Sequence, residues 1–317
     1  MTLALLFSPQ GSQQVGMGRE LAERSPAAAA VFAEADAVLG WSVSEVCWNG
    51  PAARLDDTRQ TQPSLLATSV AALRALEEVA HPAPALVAGH SVGEYAALVA
   101  AGVLDLGAAL RLVTRRAELM AGAVGEGGMA AVIGLDRASV QDIVDAIARP
   151  TELVVANDNA PGQVVISGLR DALDAAEEPM RAAGARRVLR LPVSGAFHSP
   201  LMAGVAGELA DAFETETWRD ARVPVVSNVT AEPLTDADRI RAQLAEQVCS
   251  PVEWVGCVRR MVVEGVDTMI ECGSGAALAG MIRRIAPGVT TATVSDGATL
   301  DQAAALLGST TQAAVPS

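Results

Sequence analysis

The strongest candidate for chemistry in this chain is the hydroxyl of Ser91, which lies in the pentapeptide Gly-His-Ser-Val-Gly at residues 89–93. A short apolar stretch at residues 84–88 precedes it, and helix-forming residues follow at 94–101. A strand, G-x-S-x-G and a helix in this order are typical of a nucleophile elbow, whose sharp turn raises the serine above a sheet. Glycines two residues to either side avoid a Cβ clash, and the helix start directs N–H groups toward a developing oxyanion. An ordinary glycine-rich turn is the alternative, and the flanking pattern favours the nucleophile.

A serine nucleophile needs a base, and the chain has 3 histidines from which to supply one. His90 is too close in sequence to turn back onto Ser91, and His81 lies in a polar turn with no other signal. His198 follows small residues in a predicted loop, where an imidazole is easily reached. We therefore expect His198 to be the general base, with a purely structural histidine as the alternative.

Two further stretches carry weaker candidates for the functional site. The first strand is predicted over residues 2–7 and a polar turn follows it. Since parallel α/β sheets bind ligands beyond the carboxyl ends of their strands, Gln10 or its backbone N–H is a candidate oxyanion donor, with an ordinary turn equally compatible. The helix predicted over residues 106–123 carries Arg111, Arg115 and Arg116, and the pattern alone predicts that all three are solvated.

Composition excludes several classes of partner. The net charge of −14 over 317 residues argues against nucleic acid and against an anionic membrane. The 4 cysteines form no C-x-x-C pair, so we expect no structural zinc and reduced thiols in a cytoplasmic protein. The first residues lack the basic region of a signal peptide, and the apolar stretch at residues 86–106 contains charged residues that a membrane span would not carry.

The order of predicted elements indicates an α/β fold with an inserted unit. Helices are expected over residues 18–40, from Pro63 to Glu78, and over residues 236–249 and 253–264. Between them the pattern predicts strand, helix, two strands, helix and strand, a ferredoxin-like βαββαβ order, at residues 129–134, 139–148, 153–157, 163–168, 171–185 and 187–191. We predict an α/β-hydrolase-like, parallel-sheet core of residues 1–125 and 193–307, a ferredoxin-like subdomain of residues 126–192, and a disordered tail of residues 308–317.

Taken together, the motifs resemble the malonyl-CoA:acyl carrier protein transacylase family, in family order and over nearly the whole chain. The matching segments are residues 10–13, 61–63, 89–94, Arg116 with Met120, residues 157–168, residues 195–199, and Gln247 with Pro251.

This resemblance implies a mechanism. Ser91 would attack the malonyl-CoA thioester, with His198 as the base and the backbone carbonyl of Gln247 orienting it. Backbone N–H groups of Gln10 and Val92 would form the oxyanion hole.

The resemblance also implies a binding site. Arg116 would clamp the free carboxylate of the acyl group, and the other substrate-binding positions would be Gln62, Asn157, Asn159 and Phe197. Acyl-CoA would be the donor substrate, no cofactor would be bound, and the partner would be a phosphopantetheinylated acyl carrier protein.

Two details refine this comparison. The family usually has Pro-Gly before the first glutamine, whereas this chain has Ser8-Pro9, and a proline offers no N–H. Val92 and Phe197 resemble the malonyl-selecting members, although a pocket discriminates one methyl group by only ~1–3 kcal/mol, which leaves a branched extender open.

The alternatives are a serine thioesterase or esterase, which shares the elbow, and a non-catalytic module that docks carrier proteins. Fatty acid synthesis and a trans-acting role in polyketide synthesis are both compatible with the sequence.

Overall fold

The structure is a computed structural model that describes residues 1–123, 125, 127–147, 151–193 and 195–312. Glu126, at the predicted start of the inserted unit, residue 148, at the predicted end of its first helix, and residues 313–317 of the predicted tail lie outside the described residues.

Strands and helices are interspersed along the chain, and five helices separate the first two strands. The strands are β1 (Leu3–Phe7), β2 (Leu86–Gly89), β3 (Gly127–Ile133), β4 (Leu153–Ala160), β5 (Gln163–Leu169), β6 (Arg187–Arg190), β7 (Val225–Val226), β8 (Pro233–Leu234), β9 (Thr268–Cys272) and β10 (Thr290–Val294). The helices are α1 (Arg19–Arg24), α2 (Pro26–Leu39), α3 (Val43–Asn49), α4 (Ala52–Leu55), α5 (Thr58–Ala80), α6 (Gly93–Ala101), α7 (Leu106–Gly122), α8 (Arg137–Ile147), α9 (Arg170–Ala182), α10 (Ala203–Phe213), α11 (Ala237–Glu246), α12 (Trp254–Val263), α13 (Ala277–Ile285) and α14 (Gly297–Gln312).

The larger sheet has the strand order β10-β9-β1-β2-β7-β8, and all neighbouring pairs except β7 and β8 are parallel. Its central strand β1 is buried along its whole length. Because successive side chains of a strand point to opposite faces, Leu3, Leu5 and Phe7 pack with one layer of helices, while Ala4 and Leu6 pack with Trp254 and Leu278 of the other. Burial on both faces explains the continuous apolar run of this strand.

The smaller sheet is antiparallel, with the order β4-β5-β3-β6. Ala130, Val132 and Ile166 face α8 and α9 in a separate apolar cluster. Met129 and Val165 point to the other side and pack with the larger core. This sheet therefore turns one face toward the parallel-sheet region, and a cleft lies between them.

Three predicted boundaries were wrong for local physical reasons. The helix predicted over residues 18–40 is broken at Ser25, whose side chain caps α2 while Pro26 begins it. The helix predicted to begin at Pro63 begins at Thr58, because Asp57 caps it by accepting from the Arg59 N–H, and Pro63 lies inside it. The helix predicted to reach residue 249 ends at Glu246, and a 3₁₀ turn follows over Gln247–Cys249.

The predicted tail also differs in part. Helix α14 continues past residue 308 to Gln312, because Leu300, Ala303 and Leu307 bury its inner face against the core. Within the described part of the chain, no helix combines the length and the apolar character needed to cross a membrane.

Candidate active site

Ser91 lies at a tight turn between β2 and α6. Its φ of 53° is in the left-handed region, which is rare for a residue with a side chain and indicates local strain. A Cβ on Gly89 would lie 1.9 Å from the carbonyl carbon of Gly93, and one on Gly93 would lie 2.2 Å from the Phe7 oxygen. Only glycine permits these approaches, so the spacing of the motif follows directly from the turn.

The imidazole of His198 reaches this serine from a loop more than a hundred residues away. Its Nε2 is 2.8 Å from Ser91 Oγ, and its Nδ1 is 2.9 Å from the backbone oxygen of Gln247. Because a carbonyl can only accept, Nδ1 carries the proton and Nε2 is left to accept from the hydroxyl. The ring is further fixed by the His198 N–H, which donates to the Val248 oxygen at 2.9 Å.

The surroundings keep His198 neutral. Burial, and to a smaller extent the nearby positive charge of Arg116, together lower the pKa of His198 to about 3, although the hydrogen bond to the Gln247 carbonyl opposes the shift. The histidine is therefore an unprotonated acceptor throughout the neutral range.

Arg116 is buried beside Ser91, with 1% of its surface exposed. One of its terminal nitrogens, Nη2, donates to Ser91 Oγ and to Gln247 Oε1, both at 3.0 Å, and Nη1 donates to Gln62 Oε1 at 2.7 Å. The solvated position that the helix pattern predicts is wrong for this arginine. It applies to Arg111 and Arg115, whose partly exposed side chains pair with Glu216 and Glu208.

Gln247 connects these groups. Its backbone oxygen accepts from His198, its side-chain oxygen accepts from Arg116, and its Nε2 donates to the Ser91 carbonyl at 3.1 Å. The same Nε2 donates to Glu94 Oε2 at 2.6 Å. A single residue, through its backbone and its side chain, thus contacts the serine, the histidine and the arginine.

Two polar residues in the site were missed by sequence reasoning. Asn228 accepts from the Ser91 N–H and donates to the Gly89 oxygen, both at 2.7 Å, and so spans the elbow. Glu94 is 4% exposed beneath it. A polar Ser227-Asn228 pair directly after the buried strand β7 was the available signal for Asn228. Glu94 is the last residue of the family-matching segment 89–94, but that match assigned it no role, and as an acidic residue in a first helical turn it is ordinary.

A cavity of about 380 Å³ opens over Ser91 and His198. Gln10, Asn157, Asn159 and Phe197, all predicted site residues, also line it. Within the described residues, the lining does not include Gln62, Val92, Arg116 or Gln247, which lie behind the wall nearest Ser91. The described lining is therefore mainly apolar and amide side chains together with Asp56, Ser91 and two histidines, and Arg116 is buried beside Ser91 outside this lining.

The predicted oxyanion donors belong to two loops. Val92 is the N-cap of α6, and Gln10 follows Pro9 in the turn after β1. In the described residues, neither backbone N–H donates to a protein acceptor, whereas that of Ser91 is occupied by Asn228. The Ser8 hydroxyl, at the position where the sequence departs from the family pattern, donates to Glu271 Oε1 at 3.1 Å and anchors this turn.

Asn157 and Asn159 come from β4, on the opposite side of the cleft. The side-chain oxygen of Asn159 is 2.8 Å from His90 Nε2, and so contacts the residue before Ser91. Asn157 forms an isolated parallel bridge with Val252. These contacts hold the antiparallel sheet against the elbow.

This chain is similar to known proteins over nearly its full length. The malonyl CoA-acyl carrier protein transacylase of Bacillus subtilis (strain 168) is 42% identical over 304 residues, which is 95% of this chain and 96% of the relative. The crystal structure of an acyl carrier protein S-malonyltransferase from Vibrio cholerae has a TM-score of 0.93 at 40% identity, covering 96% of this chain and 100% of that one. A malonyl-transacylase in complex with a type II PKS acyl-carrier protein gives the same TM-score, identity and coverage.

These solved structures share the mixed α/β architecture of a parallel sheet with a separate antiparallel sheet. The family model described as the acyl transferase domain matches residues 4–298. With a site built on a strained serine and a match of this extent, the chain belongs to the acyl transferase domain family.

Proposed function

We propose that this enzyme transfers a malonyl group from CoA to the phosphopantetheine thiol of an acyl carrier protein, through an ester on Ser91. The observation that carries the proposal is the placement of a buried guanidinium 3.0 Å from the same hydroxyl that lies 2.8 Å from His198. A base and an anion-binding group therefore both contact the one oxygen that would act as the nucleophile.

In the first half-reaction, Ser91 Oγ attacks the thioester carbonyl as its proton passes to His198 Nε2. The tetrahedral intermediate then expels the CoA thiolate, which takes the proton from His198 and leaves as the thiol. In the second half-reaction, the pantetheine thiol gives its proton to His198 and attacks the ester, and Ser91 regains the proton. The Gln247 carbonyl stabilises the imidazolium formed in each step, which is why no acidic third member is needed.

The oxyanion of each intermediate is assigned to the backbone N–H groups of Gln10 and Val92. Neither N–H group donates to an acceptor in the described part of the protein, and the partial positive charge at the start of α6 adds to the second. Losing one such donor typically costs about 2.7–4 kcal/mol of transition-state stabilisation.

Arg116 is assigned the free carboxylate of the malonyl group. Its hydrogen bonds go to the neutral acceptors Gln62, Gln247 and Ser91, so an incoming carboxylate offers a stronger, charge-assisted partner. The Ser91 oxygen becomes an ester on acylation, which frees Nη2 for that partner. Gln62, Asn157, Asn159 and Phe197 are assigned to shaping the remainder of the acyl and pantetheine site.

The thioesterase and docking-module alternatives are less well supported. A thioesterase needs a positioned water but no buried cation beside the nucleophile, and a docking module needs neither a strained serine nor a neutral histidine in contact with it. The curated relative and the solved structures quoted above are named as transacylases or malonyltransferases. Fatty acid and polyketide synthesis remain two settings for the same reaction.

The finer architecture is also a proposal. The order β4-β5-β3-β6, with α8 and α9 on one face, supports a ferredoxin-like subdomain of residues 126–192. The elbow at the end of β2 in a parallel sheet supports an α/β-hydrolase-like core of residues 1–125 and 193–307.

The free thiols of the 4 cysteines support a cytoplasmic location, and the site is proposed to work without a bound cofactor.

Arg116→Ala tests the assignment. Losing two charge-assisted hydrogen bonds should lower kcat/KM for malonyl-CoA by about 100-fold or more and leave that for acetyl-CoA within about threefold. Arg115→Ala is the matched control, because this neighbour lies on the same helix in a solvent-exposed pair with Glu208. Mass spectrometry of the malonyl adduct on Ser91 and steady-state transfer to a carrier protein are the measurements. Equal losses for both acyl groups would remove the carboxylate clamp, and hydrolysis without transfer would favour a thioesterase.

A further inference from the structure

A buried carboxylate lies directly behind the proposed substrate arginine. Glu94, in the first turn of α6, accepts from Gln247 Nε2 at 2.6 Å, and Gln247 Oε1 accepts from Arg116 Nη2 at 3.0 Å. Glu94 is 4% exposed and Arg116 is 1% exposed. One amide therefore joins an anion and a cation that are both withdrawn from water, and the catalytic scheme above uses only the cation.

We propose that Glu94 is the internal counter-ion of Arg116, and that it takes up a proton when the carboxylate of the acyl group reaches that arginine. This inference rests on the proposed function, since it requires a substrate with a free carboxylate. It assigns a role to Glu94 that acts through Gln247 and does not involve contact with the substrate.

The charge balance of the site gives the reason. A buried cation without an anion nearby is costly, and in the free protein Glu94 provides that anion. A malonyl carboxylate at Arg116 adds a second negative charge to a site with one guanidinium. Two carboxylates that share one buried cation cannot both remain ionised without a large penalty, so the buried one that is not bound to Arg116 directly takes up a proton.

Glu94 is poised for this change. Burial raises the pKa of Glu94 to about 7, although the Gln247 amide, a backbone N–H of Asn228 and the charge of Arg116 oppose the shift. Near neutral pH its two protonation states are therefore close in free energy. The amide N–H of Gln247 donates to Oε2, so a proton on the other carboxyl oxygen does not disrupt that hydrogen bond.

The other titratable groups around Glu94 do not change charge near pH 7. The pKa of His198 is lowered to about 3, and burial also lowers the pKa of His90. Burial raises the pKa of Tyr95, and that of Cys257 on α12 is raised well above its ordinary value. Arg116 on α7 stays charged. Of Glu94 and the described groups that surround it, Glu94 is therefore the one expected to titrate in the neutral range.

The first test is the pH dependence of acyl selectivity, from about pH 6 to about pH 9. Because proton uptake accompanies malonyl binding, the ratio of kcat/KM for malonyl-CoA to that for acetyl-CoA should fall above about pH 7, by up to about tenfold per pH unit. The two donors share the CoA group, so titration of its phosphates cancels in the ratio. Glu94→Gln should abolish the pH dependence, because an amide has no proton to gain.

Glu118→Gln is the matched control. It makes the same chemical change on an exposed carboxylate two residues from Arg116 on α7, which pairs with Arg115 at 3.7 Å, and it should behave like the natural chain. A ratio that is independent of pH in the natural chain, or equally pH-dependent in Glu94→Gln, would overturn the inference.

The second test needs no variant and therefore decides the matter even if Glu94→Gln fails to fold. The natural chain is acylated in weakly buffered solution near pH 8 with an indicator dye, using malonyl-CoA or acetyl-CoA. Mass spectrometry counts the acylated Ser91. Malonylation should take up as much as about one proton more per acylated site than acetylation does.

The outcomes separate the two proposals. Equal proton counts with a malonyl adduct present on Ser91 overturn the role of Glu94 alone. Absence of a malonyl adduct overturns the proposed function, and the inference with it.

Discussion

The two sides of the cleft differ in what they contribute. The parallel-sheet side carries Ser91, His198, Arg116 and Gln247, so the proposed nucleophile, base and carboxylate-binding group all come from it. The antiparallel side contributes apolar and amide side chains to the cavity wall, namely Met129, Asn157, Asn159 and Val165.

This difference follows from topology. Parallel strands end at the same edge of their sheet, so the loops that follow them bring residues from distant parts of the sequence to one place. An antiparallel sheet sends alternate strand ends to opposite edges and presents a face instead. One region therefore assembles chemistry, and the other gives the cavity its shape.

Removing the base should have the largest effect on the reacting side. His198→Ala is expected to slow acylation of Ser91 by about 10³-fold or more, because no other described imidazole is in contact with the hydroxyl. Rapid-quench mass spectrometry of the acyl-enzyme measures it. His81→Asn, at an exposed helix end, is the control and should be silent. A loss below about tenfold would mean that the proton leaves by another route.

A smaller loss of activity is expected when Asn228, which hydrogen-bonds across the turn at Ser91, is replaced. Asn228→Ala leaves the Ser91 N–H and the Gly89 oxygen without partners, at a cost of about 1–3 kcal/mol. We expect kcat to fall about 10- to 100-fold with little change in KM, and equally for malonyl-CoA and acetyl-CoA. Steady-state kinetics with both donors distinguishes this pattern from that of Arg116→Ala. A change in selectivity would show that Asn228 also contacts the acyl group.

The smallest effect on activity is expected from a substitution on the antiparallel side of the cleft. Asn159→Ala removes the contact with His90 across the cleft, and should weaken kcat/KM by no more than about tenfold, mainly through KM. Initial rates over a range of malonyl-CoA concentrations provide the test. If kcat fell as far as in Asn228→Ala, the antiparallel side would be taking part in the chemistry, and the contrast between the two regions would not hold.

Local patterns predicted much of this protein. The short apolar run of β1 and the strand-turn-helix sequence around Ser91 are signals that a few neighbouring residues carry, and both elements are where they were predicted. The choice of His198 as base needed only the small number of histidines, and the structure places its ring against Ser91.

The sequence pattern could not determine which polar side chains are buried. Arg115 and Arg116 are neighbours on one helix, yet one pairs with Glu208 in solvent and the other lies in the core. The difference depends on what packs against each face of α7, and that information lies in distant segments. Resemblance to a family assigned a role to Arg116. It assigned none to Glu94, although that residue closes the matching segment 89–94, and none to Asn228.

By itself, the sequence determined most of the helices and strands and the tight turn that carries Ser91, because helix periodicity, turn glycines and an apolar strand are encoded within a few residues of one another. Tertiary structure alone decided the polar network that joins Glu94, Gln247, Arg116 and His198, because hydrogen bonds between residues up to about 150 positions apart exist only once the strands have been ordered in the sheet. Desolvation adds the second reason: the protonation states of a histidine and a glutamate are set by the atoms packed around them, and no neighbouring residue in the chain specifies that packing.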